Sequence, residues 1–157
     1  MEVLSVKQPW AYLLCSGIKD IENRTWKLPE KYKGKRVLIH ASGKPISWDN
    51  FYDYIEKLPC GKEAIKRILS EKDLGTNFLT TLPTSAIIGS VVFTNCIINH
   101  PSIWAEKTIN KADINPIYEN EFINPIYNWV VSDPILFDKP ILNVKGKLSF
   151  WNYPLSD

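Results

Sequence analysis

The chain contains no apolar run approaching the ~20 residues that a membrane span requires. Its N-terminus, Met1-Glu2-Val3, lacks the basic and then apolar pattern of a secretory leader. Only three cysteines, Cys15, Cys60 and Cys96, and two histidines, His40 and His100, are present. Scattered cysteines in odd number and apolar surroundings suit buried free thiols in a reducing compartment better than a disulfide framework. A cytoplasmic protein is the resulting expectation. No paired Cys/His spacing exists, which argues against a structural zinc and leaves no metal site to name. Gly-x-Ser-x-Gly, His-Glu-x-x-His and glycine-rich phosphate loops are all missing, and no cofactor is implied.

What is present is a chain of 157 residues with 45% apolar content, enough for one ordinary domain over residues 1–157 with its own core. The net charge of +2 does not by itself announce a nucleic-acid binder. Its distribution says more. Residues 1–50 carry nine Lys/Arg against five Asp/Glu, residues 51–100 carry five of each, and residues 101–157 carry five against seven. The positive field therefore belongs to the N-terminal third.

Pro9 suits the start of a short helix, Trp10, Leu13 and Leu14 follow at helical spacing, and Gly17 supplies the stop. Strands are expected at 18–26, 36–41, 86–98 and 127–132, with a fifth, short one at 141–145. Gly89, inside the third, marks a bulge or a close backbone approach. Leu148, Phe150 and Trp151 read as a seal on the core. A helical insert at 44–80 should lie outside the sheet. Its first helix carries Phe51, Tyr54, Ile55 and Leu58 on one stripe, Pro59-Cys60-Gly61 breaks it, and a second helix follows at 62–72. Residues 99–126, with three prolines and five asparagines, read as a long loop. The expected fold is mainly β with peripheral helices: a small, partly closed barrel, with an α+β sheet as the alternative.

The informative stretch is Ser5-Val6-Lys7-Gln8-Pro9-Trp10-Ala11, then Gly17-Ile18-Lys19-Asp20-Ile21-Glu22-Asn23-Arg24-Thr25-Trp26. In an extended strand, Asp20, Glu22, Arg24 and Trp26 share one face and Lys19, Ile21, Asn23 and Thr25 the other. Such a face is either solvated or lines a polar pocket where Glu22 and Arg24 pair. Lys19 should project from the helix–strand junction. Charged, it binds phosphate or polarises a carbonyl; neutral, it serves as base or nucleophile. Arg24 offers a planar fork to phosphate, and Trp10, Trp26 and Trp129 offer faces for base stacking, or simply pack the core. His40 is a structural histidine or a site residue, and Ser42 is a loop donor.

These residues resemble the ASCH (activating signal cointegrator homology) domain, a PUA-like β-barrel family. The resemblance rests on Ser5-x-x-Gln8-Pro9-Trp10-Ala11, Gly17-x-Lys19-x-x-Glu22-x-Arg24 and Thr25-Trp26. It extends to His40-Ala41-Ser42, Ile87–Val92, Trp129–Pro134 and Val144-Lys145-Gly146-Lys147-Leu148-x-x-Trp151. Residues 44–80 and 100–126 look like insertions. The resemblance implies a cleft between the first helix and the sheet where lysine, glutamate and arginine converge, and a function tied to RNA or nucleosides. One branch of the family resembles amidohydrolases of N4-acetylcytidine that use a lysine, a threonine and a glutamate. Lys19 matches the lysine, Glu22 stands at the threonine position, and Glu106 is the candidate for the glutamate.

Three functions follow. The leading one is an RNA- or nucleotide-binding domain using Lys7, Trp10, Lys19, Glu22, Arg24, Trp26, His40 and Ser42. The second is a hydrolase of RNA or a modified nucleoside with Lys19 and Glu22 as the catalytic pair. The third is a protein-interaction module without ligand chemistry.

Overall fold

The computed structural model describes residues 1–58, 61–71 and 78–155. Six strands form one mixed, curled sheet: β1 (Glu2–Val6), β2 (Ile21–Arg24), β3 (Arg36–Ala41), β4 (Ala86–Ile97), β7 (Tyr127–Ile141) and β8 (Phe150–Asn152). Their order across the sheet is β2-β7-β4-β3-β1-β8. Only β1 and β3 run parallel; every other neighbouring pair is antiparallel. The curl makes a half-barrel, as expected of a mainly β chain with helices at its periphery.

The middle strands are apolar on both faces because both faces are covered. Leu4, Ile39 and Ile88 point into the hollow of the sheet, where helix α1 (Trp10–Cys15), Phe93 and Trp129 fill it. Val3, Leu38 and Ile87 alternate outward and are covered by Val144 and Trp151. A third cluster, built on Leu13, Ile21, Phe51, Ile55, Ile65 and Trp104, joins α1 and β2 to helices α2 (Trp48–Glu56) and α3 (Gly61–Glu71). The apolar stripe of these helices builds a core of its own against α1. A further short helix, α4 (Phe78–Thr81), leads into β4. Of the expected break, Pro59 and Cys60 lie outside the described residues, as does the second helix's last expected residue, Lys72.

Several expectations need correction. The strand expected at 18–26 is β2, four residues long, because residues 17–20 form the turn that leaves α1. The N-terminal strand β1 had no separate sequence signal beyond five residues of mixed polarity. The strand expected at 127–132 runs on to Ile141. Pro134 enters it after a break in register between Ser132 and Ile135, with Asp133 at φ +46, the sort of irregularity at which a strand accepts proline. Of the short strand expected at 141–145 only Ile141 is strand, as the last residue of β7; residues 142–145 are irregular, with Val144 N–H bonded to Ser85 O at 2.8 Å. Leu148 is not a core seal but 95% exposed, because a turn with Ser149 at φ +59 separates it from Phe150 and the buried Trp151.

The 99–126 segment is also more ordered than a loop. Strands β5 (Ile109–Asn110) and β6 (Phe122–Ile123) pair and enclose helix α5 (Lys111–Ile114). Paired bonds between Asn99 and Thr108, and Ile126 N–H to Thr108 Oγ1 at 2.9 Å, pin this excursion at its base.

Candidate ligand cleft in the open seam of the half-barrel

The two ends of the sheet do not close on each other by backbone pairing. Side chains bridge them instead. Arg24, on edge strand β2, donates from Nη2 to Ser5 O of β1 at 3.0 Å. Trp26 meets Phe150 of β8 edge-on at 6.0 Å, and Tyr32 stacks on Phe150 at 3.8 Å. Beside this bridge an open cleft of about 630 Å³ remains. Its walls come from the ends of β1 and β3, from β2, and from residues 146–149.

Lys7, Trp10, Glu22, Arg24, His40 and Ser42 all line this cleft. Lys7 and Lys147 are exposed at it, and Arg24 is partly so. Glu22 accepts from Arg24 Nε at 2.8 Å, so the polar strand face is a pocket wall rather than a solvated surface.

A smaller recess of about 190 Å³ opens beside the cleft, lined by Trp10, Lys19, Glu22, Asn23, Tyr54 and Glu106. Lys19 stands here against the alternation expected of it. Gly17, at φ +80, turns the chain out of α1, and Lys19 N–H bonds to Leu13 O at 2.9 Å, which throws the side chain inward before the strand begins. Lys19 is 2% exposed, donates to Ile21 O, and lies 3.9 Å from Glu22 Oε2. Its ammonium also sits 5.5 Å from the centre of the Trp10 ring and 5.8 Å from that of Tyr54. Burial lowers its pKa from the ordinary lysine value, against the upward pull of Glu22 and Glu106. Burial likewise raises the Glu106 carboxyl above its ordinary value, with Lys19 opposing.

Polar packing fixes the recess. Asn23 donates to Tyr54 Oη at 2.6 Å and to Trp104 O at 3.0 Å, and its Oδ1 accepts from Glu106 N–H at 3.1 Å and from Asn128 Nδ2 at 2.9 Å. Asn128 also donates to Glu106 O at 3.1 Å. Both backbone groups of Glu106 are thus tied to side chains. Ser102 Oγ donates to Asp20 Oδ1 at 2.5 Å and anchors the same loop over β2.

His40 belongs to a linear chain of bonds. Its Nε2 meets a carbonyl, Val144 O, at 2.8 Å, so Nε2 carries the proton and Nδ1 accepts from Ser5 Oγ at 3.2 Å. Ser5 Oγ in turn accepts from Trp151 Nε1 at 3.2 Å. Gly146 packs close against the imidazole ring, where a Cβ would come within 2.6 Å of His40 Cε1. The ring positions residues 144–149 along the cleft.

Trp26 is placed away from both cavities: it packs edge-on to Trp129 at 4.7 Å, and its carbonyl accepts from Trp129 Nε1. Trp129 is fully buried. Tyr54, Asn23 and the 146–149 segment were not singled out from sequence. Tyr54 belongs to an apolar stripe in the sequence, and Gly146-Lys147-Leu148 belongs to the tail motif of the family resemblance, with no site role attached to it. Among the described residues no three His, Cys, Asp or Glu side chains gather as metal ligands.

The fold is shared with the ASCH crystal structure from Zymomonas mobilis. The two superpose with a TM-score of 0.53 over 98% of this chain and 87% of that one, at 13% identity, a likeness of fold alone. The sequence settles the family: residues 4–141 match the model of the ASCH domain, and the chain belongs to that family. It is similar to Activating signal cointegrator 1 of Mus musculus, 33% identical over 94 residues, and to that of Homo sapiens, 32% identical over 94 residues. Each alignment covers 60% of this chain and 14% of the longer protein.

Proposed function

We propose that the seam binds single-stranded RNA or a nucleotide, with phosphate at Lys7, Arg24 and Lys147 and a base against Trp10. The observation that supports this best is an open cleft of about 630 Å³ carrying three cations and an indole on its walls. That volume lies within the roughly 300–1,000 Å³ of small-molecule sites. Cations that neutralise phosphates release counterions, so three contacts on a single strand give a slope of log K against log[salt] of about −2. Fluorescence anisotropy of a labelled single-stranded RNA over a salt series measures it. Lys7→Ala, at an exposed side chain, should shallow the slope by about 0.7. A slope near zero would remove phosphate from the reading.

The recess favours a second reading, hydrolysis of a modified nucleoside. Lys19, Glu22 and Glu106 line it together, and burial moves Lys19 toward the neutral form that acts as base or nucleophile. Such a substrate carries no phosphate. Its binding would be nearly independent of salt, and Lys19→Ala would abolish turnover while an RNA-binding domain would show no turnover to lose.

A further inference from the structure

Among the described residues the Glu106 carboxylate is an acceptor without a donor. Its backbone N–H and C=O are fixed by Asn23 and Asn128, yet among the described residues no hydrogen bond ends on its side-chain oxygens. It faces a recess whose other charged walls are Lys19 and Glu22. Lys19 spends one N–H on Ile21 O, and an ammonium has three. The recess therefore offers a held, two-oxygen acceptor next to a buried donor.

Its size says what part of a ligand can enter. At about 190 Å³ it falls below the roughly 300 Å³ at which whole-ligand pockets begin. Trp10, Glu22 and Asn23 line both the recess and the larger cleft, so one ligand can span the two. An aromatic wall continuous with the cleft suits a base that stacks on Trp10 and pushes one edge inward.

We propose that this recess reads the Watson–Crick edge of guanine, with N1–H and N2–H2 donating to the two oxygens of Glu106 and O6 accepting from Lys19. The choice among bases follows from donor order. Guanine alone places two adjacent N–H donors beside a carbonyl. Uracil has a single N–H between two carbonyls. Cytosine and adenine put a ring-nitrogen lone pair where guanine has N1–H, and that lone pair would face the carboxylate. Edge recognition of an unstacked base is the usual source of sequence preference on single strands. The inference rests on the reading of the seam as an RNA or nucleotide site and adds which base it selects.

The test uses the full chain and short uridine tracts carrying one central guanosine, inosine, adenosine, cytidine or uridine, titrated by anisotropy. Guanosine should bind tightest, and inosine, which lacks only the N2 amine, should be weaker by about 5- to 150-fold, the range of a bidentate edge contact. Glu106→Gln, checked for folding by circular dichroism, should collapse the guanosine–inosine gap while inosine binding persists. Equal affinity for all five tracts, preference for another base, or a guanosine preference that survives Glu106→Gln would each overturn the inference and leave RNA binding standing. Absence of binding to every tract would sink both readings.

Discussion

A buried ammonium needs counter-charge close at hand, and Glu22 supplies it to two cations at once. Its Oε1 takes Arg24 Nε at 2.8 Å, and its Oε2 lies 3.9 Å from Lys19. Removing one partner of a buried pair leaves the other charge uncompensated, at a cost of roughly 3–5 kcal/mol. Glu22→Gln should fall near the lower end, about 3 kcal/mol in urea denaturation, because Glu106 still faces Lys19 and Arg24 is partly solvated. Glu106 predicts a pH signature. Its folded-state pKa is raised, so the folded protein holds that proton more tightly than the unfolded chain does. The group costs nothing below its ordinary pKa of 4.5, and stability is lost as pH rises from there through the raised value. Glu106→Gln should therefore melt higher than wild type at neutral pH, and the gap should close toward pH 4. A gap independent of pH would show that the carboxylate is not desolvated. Cys15 is a contrast: burial pushes its thiol up to about 12, which keeps it protonated and inert at neutral pH.

Among the elements, β3 and β4 were legible because β-branched, apolar runs bounded by turns report a strand covered on both faces. Gly89 was legible too. Its register shift falls between Ile87 and Gly89, and β7 and α1 lie so close that a Cβ there would stand 2.1 Å from Ile135 O of β7 and 2.8 Å from Cys15 Sγ of α1. Gly89→Ala should cost about 3 kcal/mol or more, at or beyond the upper range for overpacking, because the first obstacle is backbone and cannot rotate away. Urea denaturation measures it, and a loss under about 1 kcal/mol would show that β7 and α1 can be displaced cheaply. The elements that escaped are the ones whose partners are far away in sequence. β1 is a strand because β3 and β8 flank it, and β7 continues past Pro134 because β4 is long enough to receive it. Lys19 escaped its expected face for a local reason, the turn at Gly17, which no two-residue period can encode. The sequence carries no signal for Glu106, whose place depends on Asn23 and Asn128 holding a loop that has no pattern of its own.

At the scale of the molecule, most of the residues singled out from sequence come to one seam, although they lie on β1, α1, β2, β3 and the turns beside them. Sequence carried this convergence through the spacing around Pro9 and Gly17, and the order of motifs carried the family. What it could not carry was the division of the site into an open cleft and a recess, since Tyr54 arrives from α2 and Glu106 from the segment before β5. Among the described residues no helix is long and apolar enough to cross a membrane. The chain spans 14% of the length of the curated relatives it matches, so partners of those longer proteins need not meet this domain at its seam.

Because the half-barrel closes through Arg24 and a few aromatic rings, β2 and β8 each keep one side free of a neighbouring strand. Their outward amides should trade protons with water far sooner than those of β4, which is paired on both sides. A ligand lodged between the edges would act as a clasp. Hydrogen–deuterium exchange should then slow together at residues 21–24 and 150–152, segments more than a hundred positions apart along the chain. Slowing at only one of them would mean that the ligand rests on one lip of the seam and leaves the barrel ajar.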